Sequence, residues 1–188
     1  MAPVSIIIST IFILCLTSSV APRAIGLVRS DDKPSQKIWI PVVFGLSQSI
    51  MAVAGNGLGR LTSHLYTYIA EYMVFAIMLV VAIKMLVDSM RVLKGKMMYT
   101  LNSEKDIILL TILAAFNTFI YSLMSVFYAP FGIWFFPAVA VAGFLWAFFT
   151  VRIEFKPGIL KKVSFVEFSA AVFMAVIACL YLFTNLME

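Results

Sequence analysis

Histidine, cysteine and acidic residues are scarce in this chain, which has one His, two Cys and nine Asp plus Glu among 188 residues. Each shortage removes a class of chemistry. His64, Cys15 and Cys179 cannot make a structural zinc centre, which takes about four such ligands. Two cysteines do not make a disulfide framework. Both lie among apolar residues, where a thiol behaves as a small hydrophobe. No glycine-rich phosphate loop is present, and no nucleophile is spaced with a base and an orienting group. Catalysis is therefore not expected, and nothing in the chain asks for a cofactor or a bound metal.

Charge is missing over long distances as well. The runs from Pro3 to Pro22, Ile38 to Gly59, Ile107 to Val151 and Phe168 to Met187 contain no Asp, Glu, Lys, Arg or His. A hydrocarbon core about 30 Å thick needs about 20 apolar residues of helix, so the third run holds two spans and the four runs supply five. A sixth, from about Leu65 to Met90, is apolar apart from Glu71, Lys84 and Asp88. The hydrophobic share of 63% and mean hydropathy of +1.04 exceed the roughly 45–50% apolar usage of soluble domains. The expected fold is all-α: a polytopic membrane protein with one domain over residues 1–188. Its helices are expected at about 3–27, 38–60, 65–90, 107–128, 133–151 and 164–186. No basic residue precedes the first run, which reads as a retained helix and not a signal peptide.

Of the 14 Lys and Arg, only Arg60 falls on the outer side. Arg23, Arg29, Lys33 and Lys37 lie between the first and second spans. Lys84, Arg91, Lys94, Lys96 and Lys105 lie at the third connection, and Arg152, Lys156, Lys161 and Lys162 at the fifth. The positive-inside rule makes these connections cytoplasmic and puts both termini outside. The basic balance thus reports topology, with lipid and not nucleic acid as the partner.

Three spans followed by three spans means that a repeated half would be inverted in the membrane, a plan that places substrates near the midplane. Ser18 and Ser19 in the first span correspond to Asn117 and Thr118 in the fourth. Gly55 and Gly59 have the small-xxx-small spacing that permits close helix approach. Pro130 and Pro137 bracket an aromatic reversal, with Trp134 expected at the outer interface.

Phe44-Gly45, a polar residue at position 48, and Gly55, Gly57 and Gly59 resemble the second helix of bacterial manganese efflux pumps, within the lysine-exporter superfamily. Lys84-Met85-x-x-Asp88-x-x-Arg91 and the Lys161-Lys162 pair resemble further motifs of those pumps. The resemblance implies a bacterial inner-membrane protein with periplasmic termini. It also implies anionic ligands: an Asp in the first helix, an acid in the second and an Asp in the fourth. Here the corresponding residues are Ser19, Gln48, and Asn117 or Thr118, which define a degenerate transport site. A hard divalent cation needs oxygen ligands that compensate its charge. Its desolvation costs on the order of tens of kcal/mol, and neutral dipoles return only part of that.

Two functions follow from the resemblance. One is an accessory or scaffolding subunit of a larger membrane complex, with other integral membrane subunits as partners. The other is an exporter, of an amino-acid-like solute or of a metal ion such as manganese. Eleven methionines suit either flexible filler or a softer ion such as copper(I). Lys84, Asp88 and Arg91 are expected to form a cytoplasmic charged cluster, as an interfacial anchor or a gate. Glu167 is read as an interfacial partner of Lys161 and Lys162. Glu71 is placed in an outer vestibule or against another polypeptide, and His64 in an outer loop.

Overall fold

A computed structural model describes residues 3–26, 34–94, 104–127, 132–153 and 157–186. Regular structure among them is helical: α1 (Pro3–Thr17), α2 (Val20–Gly26), α3 (Pro34–Tyr66), α4 (Ala70–Leu93), α5 (Glu104–Leu123), α6 (Phe135–Val151) and α7 (Pro157–Leu186). Short 3₁₀ turns lead into α4 and α6. Four stretches are long and apolar enough to cross a bilayer: Ile38–Leu65, Ala70–Leu93, Gly132–Val151 and Gly158–Thr184. Two shorter apolar ones are Ser9–Ile25 and Ile107–Leu123. Large apolar side chains such as Leu46, Ile50, Val53 and Leu61 cover the outside, as lipid and not water would require. This is a membrane protein.

The first segment is broken, not continuous as expected, and chemistry at Pro22 explains the break. An unbroken helix would pair the Ser18 carbonyl with the N–H of residue 22, which proline lacks. That carbonyl accepts instead from the Ala21 N–H at 3.0 Å, and the Ser18 N–H turns back to the Cys15 carbonyl at 3.1 Å. Side chains satisfy the neighbouring carbonyls: the Thr17 hydroxyl donates to Ile13 at 2.8 Å and the Ser18 hydroxyl to Cys15 at 2.8 Å. Other boundaries moved too. The second and sixth segments are longer than expected, and the fourth ends at Leu123. Leu27, Arg29, Lys33, Lys96, Tyr128, Pro130 and Lys156 lie outside the described residues, as do the side chains of Lys37 and Lys105.

Helix α3 packs mainly on α5 and α6, and α4 on α7, while α1 and α2 lie against α5, α6 and α7. The largest apolar cluster joins Phe12, Leu16, Met78, Met85, Tyr121, Phe135 and Met174. A second gathers Val20, Ala24, Phe44 and Ala114. A third, of Ile25, Val92 and Leu160, closes one end. Trp134 and His64 are exposed.

The α3–α5 contact depends on missing side chains. A Cβ at Gly59 would strike the Leu123 backbone, and one at Gly55 the Phe119 carbonyl and the Ser122 side chain; nothing lies within 4 Å of one at Gly57. Gly59→Ala should therefore force the helices apart, lowering stability by about 1–3 kcal/mol. Gly57→Ala should leave stability unchanged or raise it by up to about 1 kcal/mol through helix propensity. Thermal unfolding of both variants in detergent checks this, and equal effects would refute the packing account.

Candidate functional site

The break in the first segment, the middle of α3 and the polar stripe of α5 meet. The Ser19 hydroxyl donates to the Ala114 carbonyl at 3.1 Å. One turn along α5, the Thr118 hydroxyl donates to Gln48 Oε1. Ser19, Gln48, Asn117 and Thr118 are all fully buried, so residues from three separate segments come together around α5. Their amides are only partly satisfied: Gln48 Nε2 and Asn117 Nδ2 find no hydrogen-bond partner among the described residues.

Beside these neutral groups lies a network of charge. Asp88 Oδ2 accepts from Arg23 Nη2 at 2.9 Å and from Lys84 Nζ at 3.2 Å. Arg23 Nη1 also donates to the Ser19 carbonyl at 2.7 Å and stands 3.6 Å from Glu167 Oε1. Lys84 Nζ donates to Asn117 Oδ1 at 2.8 Å and lies 5.8 Å from the centre of the Phe116 ring. The chain Glu167–Arg23–Asp88–Lys84–Asn117 thus links α7, α2, α4 and α5. Two acids are matched by two cations.

This arrangement corrects two expectations. Lys84 and Asp88 do pair one turn apart, but Arg91 is exposed and stands outside the network. Its place is taken by Arg23, whose side chain is 5% exposed. Glu167 does not partner Lys161 and Lys162, which are exposed, and its own side chain is 1% exposed. Helical periodicity explains this: Leu160, Ser164, Glu167, Ala171, Met174 and Ala178 form one buried stripe of α7, and positions 161 and 162 point away. The stripe emerges only on packing, because apolar residues are spread almost evenly around α7. For Arg23 the sequence does hold a signal, because the apolar Ala24 and Ile25 extend the segment past it.

Outside the network, Glu71 is exposed in the first turn of α4, where the helix dipole favours an anion. Cys15 and Cys179 are free thiols. Among the described residues, no three His, Cys, Asp or Glu are grouped to hold a metal. Two lateral cavities, of about 520 and 340 Å³, have almost wholly apolar linings from α1, α6 and α7 and include none of the charged residues.

Residues 32–152 match the family model described as "Putative manganese efflux pump". No curated protein and no solved structure matches. The matched stretch contains Gln48, Lys84, Asp88, Asn117 and Thr118; Ser19, Arg23 and Glu167 lie outside it.

Removing one partner of a buried pair leaves an uncompensated charge, at about 3–5 kcal/mol. Arg23→Met should carry that cost because Glu167 loses its cation while Asp88 keeps Lys84. Adding Glu167→Gln should restore more than half of it. Unfolding of both variants in detergent supplies the comparison, and simple additivity of the two substitutions would contradict the network.

Proposed function

The chain belongs to the manganese efflux pump family, and from that premise we propose that it is a six-span inner-membrane protein whose metal site has been replaced by internal ion pairs. On this reading it serves as an accessory or scaffolding subunit of a larger membrane complex. One observation carries the proposal: both acids inside the bundle, Asp88 and Glu167, face cations of the chain itself. A pair about 3 Å apart at an effective dielectric near 20 attracts by on the order of 5 kcal/mol. A manganese ion would have to displace those cations. It would also find only the neutral oxygens of Ser19, Gln48 and Asn117, two of them already accepting from Thr118 and Lys84, where a hard ion wants carboxylates to compensate its charge.

The inverted-repeat plan draws support from the packing. Taking α1 and α2 as one span, each half begins with the shorter apolar segment, Ser9–Ile25 or Ile107–Leu123. These two segments carry Ser19 and Asn117. A pair of short or interrupted segments in matching positions is the usual pointer to a transporter site. The strongest packing partners of α3 and α4 lie in the other half, which favours a single interlocked domain. Arg91, Lys94, Arg152, Lys161 and Lys162 keep the charge bias that puts both termini in the periplasm.

A second reading, export of an amino-acid-like solute, draws on the amide nitrogens of Gln48 and Asn117, which have no partner among the described residues, since two such donors suit a carboxylate oxygen.

Purification from the native membrane in mild detergent should bring down a companion membrane protein in fixed proportion, and a lone monomer or homodimer would oppose the subunit reading. Isothermal titration with MnCl₂ should show no binding by the wild-type chain. Ser19→Asp combined with Gln48→Glu should create measurable binding, because both positions face α5 one turn apart. A folded double variant that stays silent would refute the correspondence with the family's ligands. A deletion strain should keep its manganese tolerance, whereas lost tolerance to an amino acid would move the balance to export.

A further inference from the structure

The Lys84 ammonium is held in an unusual way for a lysine inside a helical bundle. A carboxylate oxygen (Asp88 Oδ2, 3.2 Å), an amide carbonyl oxygen (Asn117 Oδ1, 2.8 Å) and an aromatic face (Phe116, 5.8 Å) surround it. An ammonium has three N–H donors and no acceptor. Two oxygens and a π face complete its coordination. The same set serves a hard divalent ion poorly, because such an ion requires about six oxygens in a regular shell.

The three groups come from two helices, Asp88 from α4 and Phe116 and Asn117 from α5. Asp88 is fixed from its other side by Arg23 Nη2 at 2.9 Å. The Asn117 side chain is fully buried. Of the charged network, Lys84 is the most accessible member: its side chain is 27% exposed, against 16%, 5% and 1% for Asp88, Arg23 and Glu167. A cradle drawn from two helices around a tethered and reachable occupant has the logic of a ligand site filled from within.

We propose that Asp88, Asn117 and Phe116 form a binding site for a primary ammonium group, which the side chain of Lys84 occupies as a built-in competitor. A free alkylammonium takes the same place when the lysine is shortened. The site therefore belongs to the chemistry of amines and amino-acid side chains and not to that of divalent metals. The proposal rests on the reading that internal cations neutralise these acids, and it adds that one of those cations is replaceable.

The test is chemical rescue of Lys84→Ala in detergent, read as unfolding temperature. Lys84→Ala should unfold at lower temperature than wild type. Ethylammonium chloride at tens of millimolar should raise its unfolding temperature by about 2 °C or more, as binding to the folded state alone requires. Sodium chloride and tetramethylammonium chloride at the same ionic strength should not. Lys84→Met, whose neutral chain fills the same space, should not respond to any of these salts, and Lys84→Ala with Asp88→Asn should lose the response. Equal effects of all salts on Lys84→Ala, or no effect of ethylammonium, would overturn the proposal.

If the alanine variant does not accumulate, amine acylation of the wild-type chain tests the same point. Lys84 should be modified at least tenfold more slowly than Lys161. Added ethylammonium should raise the Lys84 to Lys161 ratio, which cancels reagent consumed by the amine. Equal reactivity of the two lysines, or a ratio unmoved by ethylammonium, would overturn the proposal. A manganese-induced rise in the wild-type unfolding temperature would count against the preceding functional reading alone.

Discussion

One carboxylate oxygen, Asp88 Oδ2, accepts from both Arg23 and Lys84, and the interior of this bundle is organised around that shared acceptor. A buried charge is tolerable in a medium of low polarity only when its partners are close and its remaining hydrogen-bonding capacity is used. Several otherwise unrelated features serve that requirement. The restart of the helix at Val20 sets the Ser19 carbonyl at the head of α2, where the Arg23 side chain donates to it at 2.7 Å. The polar stripe of α5 brings Asn117 to Lys84, and the buried stripe of α7 brings Glu167 to Arg23. Ile25, Val92 and Leu160, each within two turns of Arg23, Asp88 or Glu167, cluster over one end of the network and limit the approach of water.

The contrast with a metal site is one of tethering. A transported ion arrives with its charge and leaves with it, so the protein must hold uncompensated anions between visits. In this chain the compensating cations are covalently attached, and the acids are never alone. The neutral residues Ser19, Gln48 and Asn117 fit the same picture, since a packed interior that already holds its own cations gains nothing from further negative charge. Close helix approach at Gly55 and Gly59 supports this interior mechanically, for it sets the distance at which α3 presents Gln48 to α5.

Much of this was legible in the sequence. Uncharged runs of bilayer length can only be helices in lipid, because every backbone amide must find its partner within the segment. The apolar outside, the helical fold and the family all follow from that pattern together with short motifs around Phe44, Gly55 and Lys84.

The partners of the charges were decided by tertiary structure. Arg23 stands 65 residues from Asp88 in the chain, and no local rule relates them; they meet because α2 and α4 converge beside α7. Read locally, a lysine and an arginine near helix ends belong to the interface, and an acid after two lysines belongs to them. What the sequence determined alone was therefore the solvent of each segment, through hydropathy that accumulates along the chain. Which ions share a carboxylate depends on directions between helices, and those exist only after the bundle has packed.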